Sequence, residues 1–148
     1  MQHIKQQLLN ACAEYVKLRA NTVDKIIADN KKGLLSETKS SAGDKHETGR
    51  AMLQLEMEKA GQQLTSINQM KIVLSRIQIN PTSVVKLGSL IITDNANYFL
   101  AISAGEILVE GMTYFAISPG SPIGKLLLGK QVGDTVNFTK KMLIKDVL

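Results

Sequence analysis

Asp44 and Glu47 are the residues best placed to do chemistry in this chain. They stand three apart in Gly43-Asp44-Lys45-His46-Glu47-Thr48, and residues i and i+3 share a helix face. Two carboxylates on one face offer hard oxygen donors, which suit a divalent cation such as Mg²⁺ that keeps several of its waters. The same pattern has a plainer use. Asp44 is a good N-cap, and Glu47 three residues later complements the helix dipole. Spacing alone leaves both uses open.

The flanking elements say where these acids sit. Apolar residues recur at Ile4, Leu8, Ala11, Tyr15, Leu18, Val23, Ile26 and Ile27, the steps of a helix with one buried stripe. Gly33 ends the clean pattern, and Ser36 to Gly43 is polar, small and turn-prone. A second run follows at Leu53, Met57, Ala60, Leu64, Ile67, Lys71 and Leu74, a 4-3 alternation with one polar intruder. Asn80-Pro81 closes it, because the residue before proline is pushed out of the α region. The pattern predicts an antiparallel coiled-coil hairpin over residues 1–79, turning between Gly33 and Asp44. Arms of about 30 residues would each be about 45 Å long. The two acids then lie at the tip.

After Pro81 the period changes. Val84-Val85, Leu87, Leu90 to Ile92 and Tyr98 to Ile102 read as short strands, with Asp94 to Asn97 as a hairpin loop. Thr113 to Ile117 is a further strand. Ser121 as N-cap and Pro122 at N1 open a short helix, Ile123 to Leu128, that Gly129 ends. Val132 to Phe138 and Met142 to Val147 complete a small antiparallel sheet over residues 80–148. The fold class is α+β. Val109 to Gly111 and Gln131 to Asp134 read as turns.

Composition narrows the chemistry. The 148 residues are 44% hydrophobic but only 4% aromatic, which suits helix packing better than a thick core. Lys and Arg number 18 against 13 Asp and Glu, a net +5 compatible with nucleic acid or with an ordinary solvated surface. Lys31, Lys32, Lys39, Lys45 and Arg50 gather about the turn, either as a solvated loop or as a contact for a polyanion. Cys12 is the only cysteine, which excludes a disulfide framework and predicts a buried thiol. With His3 and His46 as the only histidines, a hydrolase triad has no support, and the glycines form no nucleotide-binding loop. His46 reads as exposed. No leader or membrane-length apolar run is present, which predicts a cytoplasmic protein without a membrane partner.

Along nearly its whole length the chain resembles the Gre-type (GreA/GreB) transcript cleavage and elongation factors of bacterial RNA polymerase. Gly43, Asp44 and Glu47 match the family's tip motif Gly-Asp-x-x-Glu-Asn. Ser121-Pro122-Ile123-Gly124 through Leu128-Gly129-Lys130 to Gly133-Asp134 matches the signature of the family's FKBP-like C-terminal domain. The order, long hairpin before compact domain, agrees too. The resemblance implies an accessory factor rather than an enzyme. Its compact domain would dock on the polymerase through the surface around Ser121 and Pro122, unless that motif simply builds the fold. Its hairpin would enter the secondary channel. Asp44 and Glu47 would there help hold a second Mg²⁺, only within the complex, and stimulate cleavage of the backtracked RNA 3′ end. Besides RNA polymerase and nascent RNA, DNA of the elongation complex is an implied neighbour.

Three positions depart from the family. Thr48 replaces its Asn, and Arg50 and Ala51 stand where it has acidic and aromatic residues. Two classes of function therefore stand: a cleavage-stimulating factor, and a non-cleaving regulator or interaction module built on the same hairpin.

Overall fold

The computed structural model describes the backbone of residues 1–39 and 43–148, and the side chains of these except 37–47. Two helices, α1 (Gln2–Lys39) and α2 (Gly43–Arg76), precede all strands. By packing, the chain divides into residues 16–70 and a second unit of residues 1–15 with 71–148.

Within the first unit the two helices run antiparallel. Gly33 packs on Leu53, Ile26 shares a cleft of about 250 Å³ with Ala60, and Val23 shares another with Gln63. These three pairs belong to one register. The 4-3 pattern of α2 holds: Ala60 and Ile67 are buried, Leu53, Met57, Leu64 and Leu74 half-buried, and Lys71 exposed. On α1 the expected stripe holds at Ile4, Leu8 and Val23, which are buried, and at Ala11, Tyr15 and Ile27, which are half-buried, but fails at two positions. Leu18 is 57% exposed and Ile26 38%, while Leu8, Cys12, Val16, Ala20 and Val23 are buried. Gly33 does not end α1, which continues to Lys39. Its lack of a side chain serves close approach instead, since a Cβ there would lie 3.1 Å from a methyl of Leu53.

The second unit holds a six-stranded sheet. Its strands are β1 (Leu90–Thr93), β2 (Asn97–Leu100), β3 (Gly105–Val109), β4 (Met112–Ile117), β5 (Thr135–Phe138) and β6 (Lys140–Val147), with α3 (Pro122–Leu127) after β4. The spatial order is β3-β4-β2-β1-β6-β5. All neighbours pair antiparallel except β2 and β4, which are parallel. The hairpin loop at Asp94 to Ala96 is closed by Thr93, whose hydroxyl donates to the Ala96 carbonyl at 2.6 Å. Glu110 and Gly111 both have positive φ, the two-residue turn whose twist suits a β-hairpin. Gln131 to Asp134 form the expected turn, the Asp134 amide donating to the Gln131 carbonyl, so β5 starts at Thr135 rather than at Val132. Ile91, Tyr98, Leu100, Ile123, Leu127 and Met142 form the centre of the core under α3.

Lys5 lies inside this unit at 1% exposure, its ammonium donating to the Asn80 carbonyl at 3.2 Å. Cys12 is fully buried, as expected.

Candidate functional site

The backbone places Asp44 and Glu47 near the start of α2. Their side chains, with those of Lys39, Lys45 and His46, lie outside the described residues. The helix already includes Gly43, so Asp44 falls within its first turn, where a carboxylate complements the exposed N–H groups. Arg50 follows Glu47 by three residues on α2, whereas six residues set it about 120° around the helix from Asp44. Arg50, Ala51, Lys31 and Lys32 are exposed. The described cations near the turn thus face solvent.

Donor chemistry decides whether Mg²⁺ fits. Two carboxylates supply the oxygen ligands that this ion takes, but two alone leave most of an octahedral shell to be filled from elsewhere. Among the described residues no three His, Cys, Asp or Glu side chains gather to hold a metal.

The second candidate surface is α3. Ser121 sits half-buried with extended backbone, φ −69° and ψ 158°, and its hydroxyl accepts from the Gly124 amide at 3.1 Å. The same hydroxyl donates to the Ser118 carbonyl at 2.7 Å. Ser121 is therefore committed to holding the helix start. Pro122 and Lys125 are exposed, and Leu126 and Leu128 are 38% and 48% exposed. These four, rather than the serine hydroxyl, are what a partner could touch.

The rest of this motif is architectural. Val85 and Lys130 exchange backbone contacts with the turn after α3: the Val85 amide donates to the Lys130 carbonyl, and the Gly129 amide to the Val85 carbonyl. The Asp134 carboxylate accepts from the Gln131 amide at 2.8 Å, and the Ile144 amide donates to the Asp134 carbonyl. Gly129 and Gly133 both have positive φ, at 82° and 93°.

No protein-family model matches the chain, and no curated protein matches it. Solved structures do. GreA factor homolog 1 (Gfh1) of Thermus thermophilus aligns at 19% identity over 90% of this chain and 94% of that one, with a TM-score of 0.36. Gfh1 of Thermus aquaticus aligns at 21% identity over 93% and 94%, with a TM-score of 0.35. A third structure, of the transcription factor Gfh1, aligns at 19% identity over 99% and 92%, with a TM-score of 0.35. Such identities and scores say nothing of chemistry or partner.

Asn30 is the residue that the sequence reading passed over. It is 6% exposed, and its amide nitrogen has no hydrogen-bond partner. Its place three residues after Ile27 was the available signal. Among the described residues no helix is long and apolar enough to cross a membrane.

Proposed function

We propose that this protein is a Gre-type elongation factor that binds RNA polymerase at its secondary channel and stimulates cleavage of backtracked RNA. The observation that supports it best is the placement of Asp44 and Glu47 at the start of the second of two antiparallel helices. Those helices have 38 and 34 residues, so each is about 50 Å or more long. Such a length is suited to carrying two acids into a deep channel. The FKBP-like motif from Ser121 to Asp134 supports the same family.

In this reading the chain supplies two oxygen donors and the polymerase supplies the remainder of the site. Asp44 and Glu47 would help hold a magnesium ion, which would supply Lewis-acid stabilisation of charge developing on the cleaved phosphate. Pro122, Lys125 and Leu126 form the docking surface on the rim. The protein alone hydrolyses nothing, and it works in the cytoplasm beside nascent RNA and template DNA.

The test is a purified polymerase stalled in a backtracked state, with and without this protein, scored for RNA shortening. Shortening is expected. Binding without shortening would favour the second reading, a non-cleaving regulator of the same channel. The observation on its side is Arg50, an exposed cation three residues after Glu47 where the family has an acidic residue.

A further inference from the structure

The stripe by which α1 packs on α2 runs Val16, Ala20, Val23, Ile27 and Asn30, and its last member is polar. Asn30 is 6% exposed with an unpartnered amide nitrogen. A buried amide left unpaired destabilises the fold, and an aliphatic side chain there would not. One turn later Gly33 makes a second irregularity. A Cβ on it would lie 3.1 and 3.2 Å from the two methyl carbons of Leu53, so that leucine fills the gap which the glycine leaves.

Neither the apolar stripes nor the turn selects an alignment of the arms. Leu53, Met57, Ala60, Leu64 and Ile67 repeat every seven residues, so a slide of one heptad sets apolar against apolar again. Ser36 to Gly43 reads as turn-prone in sequence although α1 runs on to Lys39, so sequence alone does not fix where the chain reverses. A slide of one heptad moves the reversal by about half that distance, enough to shift Asp44 and Glu47 between helix and turn.

Within residues 16–70 what distinguishes the alignments is Asn30 with Gly33. In the observed one, Asn30 stands opposite Glu56, at a level where Leu53 and Met57 are only half-buried. Slid one way, it would face Gln63 between Ala60 and Ile67, which are 2% and 0% exposed, and its amide would be sealed more deeply. Gly33 would then meet Ala60, small against small, and leave a void. Slid the other way, Leu53 would meet Ile26 instead of glycine and be overpacked.

We propose that Asn30 and Gly33 are the register key of the hairpin, positioning residues that select the one alignment in which Asp44 and Glu47 begin α2. Their purpose rests on the proposed function, but the alignment itself is measured on the isolated protein. A buried asparagine fixing register at a cost in stability is the best-attested role of such residues.

The test places cysteine pairs in a Cys12→Ser background and treats the purified protein with a short bis-maleimide. Ile26→Cys with Ala60→Cys reports the observed alignment. Ile26→Cys with Ile67→Cys and Thr22→Cys with Met57→Cys report the two slid ones, about 10 Å away along the helix. With Asn30 and Gly33 in place, only the first pair should cross-link efficiently. Adding Asn30→Leu and Gly33→Ala should raise cross-linking of a slid pair on the order of tenfold, without lowering the melting temperature. If the double variant loses helicity, Asn30→Leu alone decides, since it adds nothing beside Leu53. Cross-linking confined to Ile26 and Ala60 in every folded background would overturn the proposal. Where the wild type stimulates cleavage, the same variant should lose about tenfold of it at unchanged polymerase affinity. A protein that never stimulates cleavage would refute the cleavage reading and leave the cross-linking result standing.

Discussion

A Cβ on Gly124 would sit 2.0 Å from the carbonyl oxygen of Ser118. That oxygen already accepts from the Ser121 hydroxyl and amide, so it cannot withdraw without undoing the start of α3. Gly124→Ala should therefore cost about 3 kcal/mol or more, despite the gain in helix propensity. Gly61 provides the control. It lies exposed within α2 with no atom within 4 Å of its would-be Cβ, so Gly61→Ala should stabilise by about 1 kcal/mol. Denaturant unfolding of the two variants measures both. Equal effects would refute the steric account.

Ser121 and Pro122 divide one motif between two duties. Ser121→Ala removes a cap and should cost about 1 kcal/mol. Its effect on polymerase affinity should be small once folding is accounted for, because the hydroxyl is engaged at both Gly124 and Ser118. Pro122 is exposed, so Pro122→Ala with Lys125→Glu should weaken polymerase binding while leaving unfolding almost unchanged. Titration of labelled polymerase checks this. Full affinity in the double variant would reduce the motif to a fold-building element.

Much of this was legible because it is local. Ser-Pro-Ile-Gly before an apolar pair announces a capped turn of helix, and the heptads of α2 announce one face. The α1 stripe is legible at Ile4, Leu8 and Val23 but not throughout, because Leu18 and Ile26 are large, apolar and exposed, whereas the residues buried there include the small Cys12 and Ala20. Local pattern could not separate a stripe at steps of four from its neighbours. Nor could it show that Lys5 is inside, since lysine is usually exposed. The parallel pairing of β2 with β4 joins strands separated by a hairpin, a long-range choice that no short window encodes. Asp44 and Glu47 were found by spacing and family motif together, and their side chains lie outside the described residues.

Two buried groups make opposite predictions about alkaline pH. Burial pushes the Cys12 thiol up to about 11, with a backbone hydrogen bond at Ile102 pulling it down. The folded state therefore holds this proton more tightly than the unfolded state. Stability from this group is full below about pH 9 and falls as pH rises toward 11, by up to about 3 kcal/mol. Burial, and then the charge of Lys86, hold Lys5 below its ordinary value. The charged form is penalised in the fold, so this group adds stability as pH rises through its lowered pKa toward 10.5. Tyr98 and Tyr114, raised by burial, act in the same direction as Cys12 at higher pH. Denaturant unfolding from pH 8 to 11 should show a steeper loss in wild type than in Cys12→Ala, and a steeper one still in Lys5→Met. Parallel curves would count against both assignments.

The tip decides between metal and cap. Asp44→Ala and Glu47→Ala should each reduce cleavage stimulation about 10²-fold or more, the scale for removing one electrostatic contact to a transition state. Affinity for polymerase should stay nearly unchanged, because it comes from the compact domain and the flanks of the hairpin. Asp44→Asn discriminates best. Asparagine caps a helix as well as aspartate does, so a capping role predicts near-normal activity and stability. A metal role predicts that Asn fails almost as badly as Ala, since the neutral amide keeps the shape and loses the charge that Mg²⁺ requires. Position adds weight to the second outcome. Gly43 is already helical, so Asp44 stands past the cap, where its contribution to the helix is a charge near the dipole worth well under about 1 kcal/mol. A deficit of 10²-fold corresponds to about 2.7 kcal/mol, more than that dipole term can supply. Full cleavage activity in Asp44→Asn would remove the metal from the tip.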